Sequence, residues 1–121
     1  MAKILVVDDE ETIREILLRR LTEWGHEVTA VANADEALEQ LAIEPFPIVF
    51  CDVIMPGRDG VWLLEQIRRQ WPQTVVVMVS GAQEFDTVTK IQKLGATDYV
   101  TKPVGREMLY QALQRALARV G

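Results

Sequence analysis

One cysteine, one histidine and seven glycines in 121 residues leave little room for several kinds of chemistry. Cys51 has no partner for an internal disulfide, and its place inside an apolar run marks it as a small core residue. His26, directly after Gly25, lacks neighbours at metal-ligand or catalytic spacing and is expected at a surface turn. Cations are outnumbered, 13 Lys and Arg against 18 Asp and Glu, for a net charge of −5. Since clustered Lys and Arg carry phosphate-backbone affinity, direct nucleic-acid binding is not expected. No apolar run approaches the roughly 20 residues of a membrane helix, and Met1-Ala2-Lys3-Ile4 leads straight into a strand pattern rather than a signal peptide. The expectation is a soluble, cytoplasmic protein without membrane contact. Repeats, low-complexity stretches and internal linkers are also missing, so residues 1–121 read as one domain, either free-standing or cut from a longer chain.

What is present is alternation. Five short apolar runs are strand-sized: Ile4 to Val7, Val28 to Val31, Ile48 to Cys51, Val75 to Val79, and Asp98 to Thr101. The first, third and fourth are apolar throughout, as a strand covered on both faces requires. Between them lie helical patterns. Ile13, Ile16, Leu17 and Leu21 share a face that closes near Trp24, with Gly25 as the stop. Asn33 is placed to cap a shorter helix carrying Glu36, Ala37, Leu38 and Leu41. A third helix follows Gly60 with Leu63, Leu64, Ile67 and Trp71 and ends at Pro72, while Trp62 breaks its apolar spacing and reads as exposed. Val88, Ile91 and Leu94 precede Gly95 in a fourth, and Leu109, Ala112, Leu113, Ala116 and Leu117 line a fifth. Right-handed crossovers between parallel strands put helices on both faces, so the pattern predicts a doubly wound α/β domain.

In such sheets ligands bind beyond the carboxyl ends of the strands. There the sequence offers Asp8-Asp9 after the first run, Asp52 after the third, Ser80-Gly81 after the fourth and Thr101-Lys102-Pro103 after the fifth. Three gathered carboxylates repel one another, and a hard divalent cation such as Mg²⁺ relieves that repulsion. Asp9 and Asp52 are expected as direct ligands, and Asp8 directly or through water. A carboxylate can also attack a phosphoryl group if the charge developing on the transferred oxygens is neutralised. Mg²⁺ and the Lys102 ammonium would do so, with Ser80 donating a hydrogen bond.

Val-Val-Asp8-Asp9-Glu10, Cys-Asp52-Val-Ile-Met55-Pro56-Gly57, Ser80-Gly81-Ala82 and Tyr99-Val-Thr-Lys102-Pro103 stand in this order along the whole chain. Together they resemble the receiver domain of bacterial two-component response regulators. That resemblance implies a five-stranded parallel sheet in the order 2-1-3-4-5 with five helices, the flavodoxin-like arrangement of the CheY-like superfamily. It further implies Asp52 as phosphoacceptor, Asp8 and Asp9 as the acidic pair, and the Ile54 main-chain carbonyl as a metal ligand. Ser80 would be the switch hydroxyl, Tyr99 the switch aromatic, and Lys102 the phosphate contact, with a cis peptide between Lys102 and Pro103. The implied phosphodonor is a sensor histidine kinase or phosphotransfer protein. Phosphorylation would alter the surface of the fourth helix, fifth strand and fifth helix, acting on an output domain or effector protein or forming a homodimer. The domain would accept and lose a phosphoryl group rather than act as a multiple-turnover enzyme.

Two positions depart from the family's habit: Ile54 is apolar where polar residues are frequent, and Arg58 is charged where apolar ones are. Rival readings fit less well. A haloacid-dehalogenase-type phosphatase needs a second acid two residues after its nucleophile, which Asp52-Val53-Ile54 lacks and Asp8-Asp9-Glu10 meets only in Glu10. A flavodoxin-like electron carrier needs a hydroxyl- or glycine-rich phosphate loop where Asp8-Asp9-Glu10-Glu11 stands. A protein-binding module indifferent to phosphorylation is the remaining alternative.

Overall fold

The computed structural model describes residues 1–81 and 85–120. Ala82, part of one motif quoted above, lies outside them. Strands β1 (Lys3–Val7), β2 (Glu27–Val31), β3 (Ile48–Asp52), β4 (Val75–Ser80) and β5 (Asp98–Thr101) alternate with helices α1 (Glu11–Glu23), α2 (Ala34–Ile43), α3 (Gly60–Gln70), α4 (Phe85–Lys93) and α5 (Arg106–Arg119). All strand pairs are parallel, in the order β2-β1-β3-β4-β5. Both the doubly wound architecture and the strand order are those expected.

The period of two along each strand explains the all-apolar runs. Leu5, Val7, Val49, Cys51, Val76 and Met78 face one side, under α2, α3 and α4, with Ala37, Leu41, Leu63, Leu64, Ile67 and Ile91. Ile4, Val6, Ile48, Phe50, Val77 and Val100 face the other, under α1 and α5, with Leu17, Leu21, Leu109, Ala112, Leu113 and Ala116. Each of these large side chains contributes about 1.5–3 kcal/mol by leaving water. The sheet therefore divides two apolar layers, and the central strands carry a side chain into each by turns.

Helix ends follow their local chemistry. The Asn33 side chain accepts from the Glu36 backbone N–H at 2.8 Å, and the Glu36 carboxylate accepts in return from Ala32 N–H at 2.9 Å. Asp59 caps α3 by accepting from Trp62 N–H at 3.0 Å. Gly25 and Gly95 close α1 and α4 with φ of +92° and +98°, a left-handed turn that disfavours a side chain. Beside Gly95, Arg68 of α3 donates to the Pro72 and Thr74 carbonyls and fixes the turn into β4.

Two sequence expectations need correction. Trp62 is half-buried, packed against the core layer, with the Arg58 guanidinium stacked 4.5 Å from its ring centroid. Arg58 also pairs with Asp35 at 3.4 Å, so the residue that broke the helical spacing is covered by a long side chain from the preceding loop. His26 is not simply at the surface: half-buried, it accepts at Nδ1 from the Ala2 backbone N–H at 3.0 Å, tying the turn after α1 to the start of β1.

Candidate functional site

The site is built at the carboxyl edge of β1, β3, β4 and β5. β1 ends at Val7, and Asp8 follows, buried, its backbone N–H donated to Val31 O at 3.2 Å. β3 ends on Asp52, 3 % exposed. The chain then turns through Val53, whose N–H is held by Val79 O at 3.0 Å and whose carbonyl accepts from Gly60 N–H at 2.9 Å. β4 ends on the buried Ser80, whose backbone carbonyl accepts from Lys102 N–H at 2.8 Å and so brings the end of β5 alongside. The peptide between Lys102 and Pro103 is cis.

From that position the Lys102 ammonium reaches Asp52 Oδ2 at 3.2 Å, Asp8 Oδ2 at 3.3 Å and Glu10 Oε1 at 3.0 Å. It donates hydrogen bonds to Asp52 and Glu10, whereas the Asp8 approach is a charge contact without hydrogen-bond geometry. Asp8 Oδ1 is engaged by the Glu10 backbone N–H at 2.9 Å, which leaves Oδ2 buried and without a hydrogen-bond donor. One oxygen from each of Asp8, Asp9, Glu10 and Asp52 falls within 4.8 Å of the others.

Such crowding is visible in the protonation equilibria. Burial, then the neighbouring Asp8 charge, pushes the Asp52 carboxyl up to about 7, although Lys102 pulls it down. Asp8 is likewise raised, chiefly by burial. Burial alone would lower the Lys102 pKa, but the Glu10 hydrogen bond and the Asp52 and Asp8 charges outweigh it and hold the ammonium charged. One lysine thus leaves the carboxylates under-neutralised. A buried oxygen without a donor, in an all-oxygen set with open access from Asp9 and Glu10, matches the chemistry of a hard divalent cation.

The other expected residues fall around this centre. Ile54, 64 % exposed, projects from the loop just beyond Asp52. Tyr99 stands on β5 opposite Met78 of β4. It is half-buried against the core layer and lines a cavity of about 350 Å³ together with Val88, Ile91 and Thr97, on the α4 side of the sheet. Cys51 is fully buried, and burial followed by the charge of Asp52 pushes its thiol pKa far up, so it stays protonated.

Two residues escaped the sequence reading. Glu10 contacts Lys102 across 92 positions of chain, and nothing but its continuation of the acidic run hinted at it. Gly60 is pressed against the end of β3: a Cβ there would overlap the Asp52 carbonyl oxygen and stand 2.9 Å from Val53 Cα. A glycine opening a helix that already has an Asp59 cap was its only signal.

Residues 4–114 match the family model described as the response regulator receiver domain. The response regulator protein FleR of Pseudomonas aeruginosa is 39% identical over 114 residues, covering 94% of this chain and 24% of that protein. An NtrX-like response regulator of Rickettsia bellii is 36% identical over 115 residues, covering 93% and 24%. The chain thus spans about a quarter of the length of the curated relatives it matches. Among solved structures, the Vibrio cholerae chemotaxis protein CheY4 superposes with a TM-score of 0.92 at 31% identity, covering 96% of this chain and 98% of that one. The receiver domain of NtrX from Brucella abortus gives 0.90 at 37% identity, covering 95% and 98%. Fold, strand-end residues and family match coincide over nearly the whole chain: it belongs to the response regulator receiver domain family of two-component systems.

Proposed function

We propose that residues 1–121 form a single response regulatory domain that accepts a phosphoryl group on Asp52 and changes the surface it offers to a partner. The observation that carries this reading is the Lys102 ammonium held 3.2 Å from Asp52 Oδ2 at the mouth of an acidic cluster. An Asp52 oxygen attacks the phosphorus in line, the new O–P bond forms, and the donor leaves with the electron pair of the broken bond. Lys102 follows the charge as it moves onto the phosphoryl oxygens, and the Ser80 hydroxyl donates to one of them. Asp8, Asp9, Asp52 and the Ile54 carbonyl would hold Mg²⁺, which supplies the remaining neutralisation of the transferred group. Ser80 and Tyr99 then carry the change to the α4-β5-α5 face, Tyr99 turning toward the space beside α4.

The donor in the cell is a sensor histidine kinase or a phosphotransfer protein, and the readout an output domain, an effector protein or a phosphorylation-dependent homodimer. Relatives four times longer than this chain support an output domain in such proteins. Among the described residues no helix is long and apolar enough to cross a membrane, which agrees with a cytoplasmic location. Loss of the phosphoryl group by hydrolysis returns the domain to its start, a cycle of acceptance and decay rather than turnover of a substrate pool. The test is intact mass after incubation with a small phosphodonor. One phosphoryl group is expected on the parent with Mg²⁺ and none on Asp52→Asn. No uptake under any condition would favour a binding module indifferent to phosphorylation.

A further inference from the structure

We propose that Glu10 is a specificity-determining residue that biases the site against highly charged phosphodonors, an inference that rests on the phosphoacceptor reading above. Glu10 is the N-cap position of α1, yet its side chain makes no capping hydrogen bond. Its carboxylate instead lies 3.0 Å from Lys102 Nζ, with the side chain still 60% exposed. An exposed glutamate normally spreads its charge through solvent by rotamer averaging. Here the hydrogen bond to a lysine that is itself held by Asp52 pins the charge at the entrance, with oxygens of Glu10 and Asp52 within 4.8 Å of one another.

A balance of charge shows why that matters. Four carboxylates against one ammonium leave a surplus that a divalent cation does not fully cancel, and Glu10 accounts for the last negative charge. A donor must place its phosphoryl group against Asp52 and hence well inside a Debye length of Glu10, which is roughly 8–10 Å at ordinary salt. Each additional negative charge on the donor therefore meets the Glu10 carboxylate at short range in a half-exposed, incompletely screened setting. At separations of roughly 6–8 Å that repulsion slows the approach by about three- to tenfold per unit of donor charge. The same carboxylate holds a hydrogen of Lys102 that the incoming phosphoryl oxygens need, so donor and Glu10 compete for one ammonium.

The experiment compares two donors that differ in charge near neutral pH: acetyl phosphate, a dianion that releases acetate, and phosphoramidate, a net monoanion that releases ammonia. Rates of phosphoryl uptake on Asp52 are followed by intact mass at saturating Mg²⁺ for the parent, Glu10→Gln and Glu10→Asp. Glu10→Gln is expected to raise the acetyl phosphate rate at least threefold more than the phosphoramidate rate. Glu10→Asp, which keeps the charge, is expected to leave that ratio within twofold of the parent. Added salt should move the parent ratio toward that of Glu10→Gln. A Glu10→Gln ratio below threefold, with both donors accelerated or slowed alike, overturns the inference while leaving phosphorylation intact. Failure of the parent to take up phosphate from either donor removes the phosphoacceptor reading itself, and the inference with it.

Discussion

Replacing Asp52 by Asn removes a carboxylate that the fold holds against its own interest, and in the absence of divalent cations the variant should be more stable than the parent above neutral pH. Asp52 is 3% exposed and faces Asp8 across the edge of the sheet, and its carboxyl is pushed up to about 7. A group raised in the fold binds its proton more tightly there than in the unfolded chain. Its favourable contribution is complete below the ordinary carboxylate value of about 4 and is lost as pH rises through about 7. A displacement of about three pH units at roughly 1.4 kcal/mol each sets a ceiling of ~4 kcal/mol on the cost of ionising Asp52. The Lys102 hydrogen bond, partly kept by an amide oxygen, offsets some of the gain, so about 1–3 kcal/mol should appear at pH 8. In a domain of this size that is a rise in Tm on the order of 3–12 °C. Urea unfolding of both proteins in chelator, at pH 5 and pH 8, gives the difference directly. It should be markedly smaller at pH 5, where the folded carboxyl is protonated and only about the first of the three units has been lost, and should shrink at pH 8 when Mg²⁺ is added. An Asp52→Asn protein that is less stable than the parent at pH 8, or a difference equal at both pH values, would refute the argument.

Three further outcomes follow from other contacts. Gly60→Ala should cost about 2–4 kcal/mol, since its Cβ overlaps the Asp52 carbonyl and backbone rather than a flexible side chain, and thermal unfolding measures this directly. His26 has its pKa lowered by burial and then by the N-terminal charge, so its contribution is present above about pH 6.5 and fades as pH falls below it. The stability gap between parent and His26→Gln should accordingly narrow on acidification, and a gap that widens would contradict the Nδ1 acceptor role seen with Ala2. Ile54, exposed beside Asp52, bears on how water reaches the acyl phosphate; Ile54→Asn should lose its phosphoryl group at a rate different from the parent, and equal decay curves by intact mass would dismiss the idea.

The strands and helices could be read closely because each signal was local. Val75 to Val79 is apolar on both faces, Gly25 and Gly95 stop helices by a backbone conformation, and Asn33 carries its cap partner three residues on. Asp8, Asp52 and Lys102 could be grouped for a topological reason: parallel strands deliver their carboxyl ends to one edge whatever lies between them. What stayed hidden was everything decided by how far a side chain reaches to another element. The Glu10 to Lys102 bond, the Arg58 side chain laid over Trp62, and the Ala2 to His26 bond join residues whose sequence contexts carry no mutual mark. Gly60 was hidden differently, since its requirement comes from a neighbouring backbone that periodicity does not describe.

Cys51 sits on β3 between β1 and β4, fully enclosed and with its thiol held protonated, one residue from Asp52. Its consequence is practical. A thiol reagent meets no target on the native protein, so labelling proceeds only when the layer of α2, α3 and α4 that covers Cys51 lifts from the sheet. The chain therefore carries its own clock for that event, at a position where it reads the strand bearing Asp52. With a fast reagent, the labelling half-life reports how long that layer stays closed over the strand bearing Asp52, and the effect of Mg²⁺ or of a phosphodonor on that lifetime can be timed without a dye, a tag or an added residue.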